Sequence, residues 1–142
     1  MQAEDILYVG AGTQSITVSG EATYYHDALH ESRSWAAGSG ALEVHAFDQP
    51  EVVAGQGTCG REIMEQVPDV TTILVAVGGG GLIGGIGLWA KAVKPGLRLI
   101  GVQPAASPPM YAFFETGSTD AMPIAPTLAD GVVLDLGGGS LQ

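Results

Sequence analysis

The sequence predicts an α/β domain in three layers, with a mostly parallel sheet of about four or five strands flanked by helices. Three observations predict it. An apolar run ends in four glycines at Val75-Ala-Val-Gly-Gly-Gly-Gly81 and leads into an apolar, helix-compatible segment. Strand, helix and strand patterns follow one another over Thr72 to Val77, Gly81 to Val93 and Leu97 to Val102, at the spacing of a parallel βαβ crossover. The 22 glycines, about twice the usual share, lie at breaks without any collagen-like period.

Along the chain, Ile6 to Val9 and Ile16 to Val18 read as short strands separated by Gly10-Ala-Gly-Thr-Gln14. From Tyr24 to Ala37, residues Tyr25, Leu29, Ser32, Trp35 and Ala36 recur at helical spacing, and Gly38-Ser-Gly40 ends the pattern. Leu42 to Phe47 reads as the next strand. Asp48-Gln-Pro-Glu51 then carries a helix start: a capping acceptor, a proline in the first turn and a glutamate three residues on. That helix runs to about Gln66. Thr72 to Val77 is read as a buried strand entering the glycine turn, and Lys94-Pro-Gly96 separates the following helix from the strand Leu97 to Val102. Beyond Gln103 the prolines 104, 108 and 109 interrupt the chain before a short helix around Met110 to Glu115. A single domain over residues 1–142 is expected, with an atypical start over 1–14 and a tail over 137–142.

Hydrophobic residues make up 46% and charged residues 14% of the 142, enough apolar content to bury a core. The formal charge of −10, without a basic run, argues against nucleic acid and acidic membrane surfaces as partners. The lone cysteine, Cys59, cannot close an internal disulfide, and the apolar runs are too short to span a bilayer. A cytoplasmic location is the expectation.

Gly78, Gly79, Gly80 and Gly81 are the candidate binding residues, with Leu82 opening the helix behind them. Glycines can adopt positive φ and aim successive N–H groups at one point, where the helix start adds partial positive charge. A phosphate-bearing small molecule is the expected guest; a plain strand-to-helix connection is the alternative. Gly55 and Gly57 fall inside a predicted helix, where each costs about 1 kcal/mol relative to alanine, so close packing is their expected role. His45 is read as a hydrogen-bonded strand-end residue, His26 and His30 as a solvated helix-surface pair, and Cys59 as a buried thiol.

His45-Ala-Phe-Asp-Gln-Pro50, Ala54-Gly-Gln-Gly-Thr58, Glu62-Ile63, Val77-Gly-Gly-Gly-Gly-Leu-Ile83, Ile100-Gly-Val102 and Thr127-Leu-Ala-Asp-Gly131 occur in an order and spacing that resembles the pyridoxal-phosphate-dependent threonine/serine dehydratases and serine racemases of fold type II. The resemblance covers roughly residues 20 to 135. It implies a large-domain portion of such an enzyme, with pyridoxal 5′-phosphate as cofactor and its phosphate at Gly78 to Gly81. It also implies β-elimination of threonine or serine to a 2-oxo acid, and Asp130 near the cofactor face.

The family holds its cofactor as an imine to a lysine in a Ser-x-Lys-x-Arg-Gly motif, and that motif is not in these residues. The two lysines, Lys91 and Lys94, fall about ten or more residues into the helix behind the glycines, roughly 15 Å or more away at helical rise. No residue is therefore assigned a catalytic role. The family also places a cation site after the strand corresponding to Leu97 to Val102; Gln103 follows here without a carboxylate, so no metal is expected. The expectation is a chain inactive alone that binds phosphate in about the millimolar range. It would associate as a homo-oligomer or with a complementing chain through uncovered apolar surface. The alternative is a non-catalytic phosphate-binding or oligomerisation module.

Overall fold

The computed structural model describes residues 7–9, 15–17, 25–118, 127–129 and 132. They fall into two compact units, Met1–Val44 and His45–Gln142. In the first, β1 (Leu7–Val9) pairs antiparallel with β2 (Ser15–Thr17). Helix α1 (Tyr25–Ser39) follows, with Ala36 buried, Leu29, Ser32 and Trp35 half-buried, and Arg33, Ser34 and Ala37 exposed, the one-sided burial that the spacing predicts. Gly40 sits at φ +72 and its N–H donates to the Ala36 carbonyl, so the left-handed residue that closes the helix is the last of the Gly-Ser-Gly run.

The second unit contains α2 (Pro50–Gln66), β3 (Thr72–Ala76), α3 (Gly81–Val93), β4 (Arg98–Val102) and α4 (Pro109–Thr116). β3 and β4 pair in parallel, Thr72 opposite Arg98 through Ala76 opposite Val102, so β3–α3–β4 is the βαβ unit read from the sequence. Ile73, Val75, Ile86, Ala90 and Leu97 form the core, and Ile63 and Met64 of α2 pack against it. Both helices thus lie on the sheet face carrying Ile73 and Val75. On the other face Leu74 is 66% exposed, so β3 is half-buried rather than buried. Among the described residues the parallel sheet has two strands, fewer than the four or five expected.

One expected strand is replaced by a turn. Leu42 to Phe47 forms no ladder, because its polar groups bond locally: the His45 N–H donates to Gln49 Oε1 at 2.9 Å, and His45 Nδ1 accepts from the N–H of Phe47 at 3.3 Å and of Asp48 at 3.0 Å. The same bonds move the start of α2. Its N-cap is Gln49, not Asp48, and the Gln49 amide turns back to His45 instead of capping the helix.

Glycines set the α2–α3 contact. Gly57 and Gly60 are buried, and a Cβ on Gly57 would lie 3.2 Å from the Gly85 carbonyl oxygen. A Cβ on Gly85 would strike the Val53 carbonyl oxygen and lie 2.7 Å from the Gly57 nitrogen. The packing role expected of Gly57 holds, whereas Gly55 has open space around it. Cys59 points away from this seam and is exposed, which corrects the expected buried thiol.

Candidate functional site

β3 ends at Ala76, and Val77 carries the chain from the sheet into the glycines. Val77 is 3% exposed, and its N–H donates to the Val102 carbonyl at 2.9 Å. Gly78 and Gly80 are half-buried, and Gly79 and Gly81 are buried. Gly80, the N-cap of α3, has φ +95, a left-handed conformation that costs an L side chain about 1–2 kcal/mol. Its carbonyl accepts the first helical bond from Gly84 at 2.9 Å. Leu82, 39% exposed, stands in the first turn.

The N–H groups of Gly79, Gly80, Gly81, Leu82 and Ile83 meet no acceptor among the described residues. These are the orphan donors of a helix start, carrying its partial positive charge, and the first turn holds no acidic side chain to compete for them. The donor set suits the phosphate of pyridoxal phosphate. Phe47 closes one side: a Cβ on Gly79 would run into its ring, and one on Gly81 would lie 2.7 Å from its carbonyl oxygen. Phe47 is buried and meets the His45 ring edge-on at 4.7 Å between centroids. His45 is therefore a turn-former that positions Phe47, hydrogen-bonded as expected but in a turn and not at a strand end.

Among the described residues the ring end of the cofactor finds no comparable fit. Lys91 lies in the last turn of α3, and Lys94 follows as its C-cap. The Lys94 ammonium donates to the Val70 carbonyl at 2.7 Å and the Pro68 carbonyl at 3.3 Å, securing the loop before β3. Both lysines sit at the end of α3 opposite the glycines. Asp130 lies outside the described residues. His30 is exposed, and among the described residues no three His, Cys, Asp or Glu gather where they could hold a metal.

A cavity of about 430 Å³ opens beside the turn, lined by Val77, Gly80, Ile83, Leu99, Gly101, Gln103 and three residues of α4: Met110, Tyr111 and Phe114. In the sequence Gln103 stands out only as the position after β4 where the resemblance places a cation ligand. In the structure its Nε2 donates to the Val77 carbonyl at 3.2 Å and its Oε1 accepts from the Tyr111 N–H at 3.1 Å. These partners stand 26 residues before and 8 residues after it. No local pattern signals such a bridge.

A model of the pyridoxal-phosphate dependent enzyme family matches residues 3–140. The chain is 47% identical over 95 residues to an L-threonine ammonia-lyase of Geobacter sulfurreducens, a match covering 67% of this chain and 24% of that protein. It is 37% identical over 99 residues to a serine racemase of Oryza sativa, covering 70% of this chain and 29% of the relative. The structure of maize serine racemase superposes with a TM-score of 0.75 at 32% identity, over 82% of this chain and 37% of that one. The chain thus spans about a quarter of the length of the curated relatives it matches. It belongs to the pyridoxal-phosphate dependent enzyme family, and its fold is α/β.

Proposed function

We propose that this family member is the portion of an L-threonine/L-serine ammonia-lyase that anchors the cofactor phosphate, the whole enzyme converting its substrate to a 2-oxo acid by β-elimination. The observation that carries the reading is the β3–α3 turn, where five consecutive N–H groups without a described acceptor stand at the start of a 13-residue helix. The 47% identity to a threonine ammonia-lyase supports the reaction class. Gly78, Gly79, Gly80, Gly81 and Leu82 would hold the phosphate. When bound, pyridoxal phosphate supplies an electron sink for charge developing at the substrate's Cα. This chain's part is to orient that group: the fixed backbone donors select an anion, and Phe47 screens the inner side of the turn from water.

Neither lysine can reach the group from the far end of α3, so among the described residues no lysine stands where it could attach the cofactor covalently. Catalysis would need residues beyond those described, such as a complementing polypeptide supplies. Leu74 and Val102, 66% and 48% exposed on one sheet face, support association with such a chain or with a second copy. The lysine placement also favours the second reading, a non-catalytic phosphate-binding or oligomerisation module. A cytoplasmic location goes with the lone cysteine and acidic composition; no described helix is long and apolar enough to cross a membrane.

The test is 2-oxo acid formation from L-threonine and L-serine with added pyridoxal phosphate. The chain alone is expected to give none, and activity is expected on adding a polypeptide that bears a Ser-x-Lys-x-Arg-Gly segment. Borohydride reduction and peptide mass spectrometry accompany it. Stoichiometric cofactor fixed at Lys91 or Lys94 would overturn the assignment of these lysines, and failure of reconstitution would leave the module reading.

A further inference from the structure

We infer that Gln103 is a positioning residue for the glycine turn, a neutral amide bridge that fixes the turn's entry strand to the first turn of α4; the inference rests on the phosphate-site reading above. Val77 is the last residue before the glycines, and both of its main-chain groups are committed to the end of β4. Its N–H goes to the Val102 carbonyl, and its carbonyl takes the Gln103 amide at 3.2 Å. The turn therefore leaves the sheet from a doubly held residue that is almost wholly buried.

The other end of the same side chain serves α4. The N-cap of that helix is Pro108, which makes no side-chain cap, and its first residue, Pro109, has no N–H. Regular bonding begins with the Ala112 N–H to the Pro108 carbonyl, so the Tyr111 N–H is an orphan donor of the first turn, and Gln103 Oε1 accepts it. One side chain donates at one end and accepts at the other. A neutral amide does both, a carboxylate can only accept, and a protonated carboxyl does both again.

That chemistry makes the bridge titratable by substitution. In Gln103→Glu the ionised carboxylate keeps the Tyr111 N–H but faces the Val77 carbonyl without a proton. The carbonyl dipole and partial burial oppose the charged form, outweighing the one N–H that favours it, so the introduced group has its pKa raised in the folded state. The defect is therefore present at high pH and is lost as pH falls through that raised value. Among the described residues, Tyr111 is the one titratable side chain lining the cavity from β3, α3, β4 or α4, and no Asp, Glu, His, Lys or Arg lines it.

The experiment compares wild type, Gln103→Glu and Gln103→Ala at pH 8 and pH 5. It measures calorimetric titration with pyridoxal phosphate and, without ligand, hydrogen exchange at the Tyr111 amide, each taken relative to wild type at the same pH. Gln103→Glu is expected to bind about five-fold or more weaker at pH 8 and within about two-fold of wild type at pH 5, with Tyr111 exchange accelerated only at pH 8. Gln103→Ala is expected to be impaired equally at both. A Gln103→Glu protein that matches wild type at both values, or is equally impaired at both, overturns the bridge. Wild type that binds no pyridoxal phosphate overturns the phosphate site instead, and Tyr111 exchange still decides the bridge.

Discussion

Adding one methyl group to Gly85 sets two effects of known sign against each other. Alanine in a helix interior is favoured over glycine by about 1 kcal/mol. The new Cβ, however, would strike the Val53 carbonyl oxygen and lie 2.7 Å from both the Gly57 nitrogen and Gln56 Cβ. Two of these three are backbone atoms of the facing helix, which no rotamer change can remove, so α2 and α3 must separate. Overpacking of this kind costs about 1–3 kcal/mol, and a backbone collision belongs at the upper end. The net expectation for Gly85→Ala is a loss of about 2 kcal/mol, whereas Gly55→Ala, in open space at an exposed position of α2, should gain up to about 1 kcal/mol. For a chain of this size these convert to melting shifts of roughly −7 and +3 °C. Urea denaturation with matched m-values is the assay. Gly85→Ala equal to or more stable than wild type would show that the two helices do not meet through glycine.

Phe47→Ala should cost about 3 kcal/mol by chemical denaturation, the range for emptying a buried aromatic site, because the ring fills the space against Gly79. Lys94→Met removes the bonds to the Pro68 and Val70 carbonyls; discounted for its partial exposure, the loss is about 1 kcal/mol, with affinity for pyridoxal phosphate unchanged in titration. Cys59 should react with a thiol reagent in the native protein as fast as in urea, and reaction only after unfolding would place it in the core after all.

The βαβ unit was readable because its boundaries are marked by residues with distinctive backbone preferences, proline fixing φ and glycine reaching turn conformations that other residues avoid. Pro50 opens α2, Gly81 opens α3, and Lys94-Pro-Gly96 separates α3 from β4. Where a boundary depends on side chains bonding back to the chain, pattern failed: His45 and Gln49 use up the N–H groups that a strand over Leu42 to Phe47 would need. Cys59 was misplaced because the packed face of α2 is carried by Gly57 and Gly60, which leave no apolar stripe to follow. The tight turn at Gly78 to Gly81 and the helix start behind it were legible, since they need only bare backbone before a helix. Phe47 over Gly79 and the Gln103 bridge were not, because each joins residues far apart in sequence.

The most direct test of the proposal that this turn anchors a phosphate is calorimetric titration of the chain with pyridoxal phosphate, beside a Gly80→Asp variant whose far-UV spectrum shows the fold intact. That substitution puts a side chain at φ +95 and a negative charge among the N–H groups that meet no acceptor among the described residues. Saturable binding by wild type, in about the millimolar range or tighter and lost in the variant, is the predicted result. Wild type that shows no saturation at millimolar cofactor, or a variant that binds as well as wild type, would contradict it.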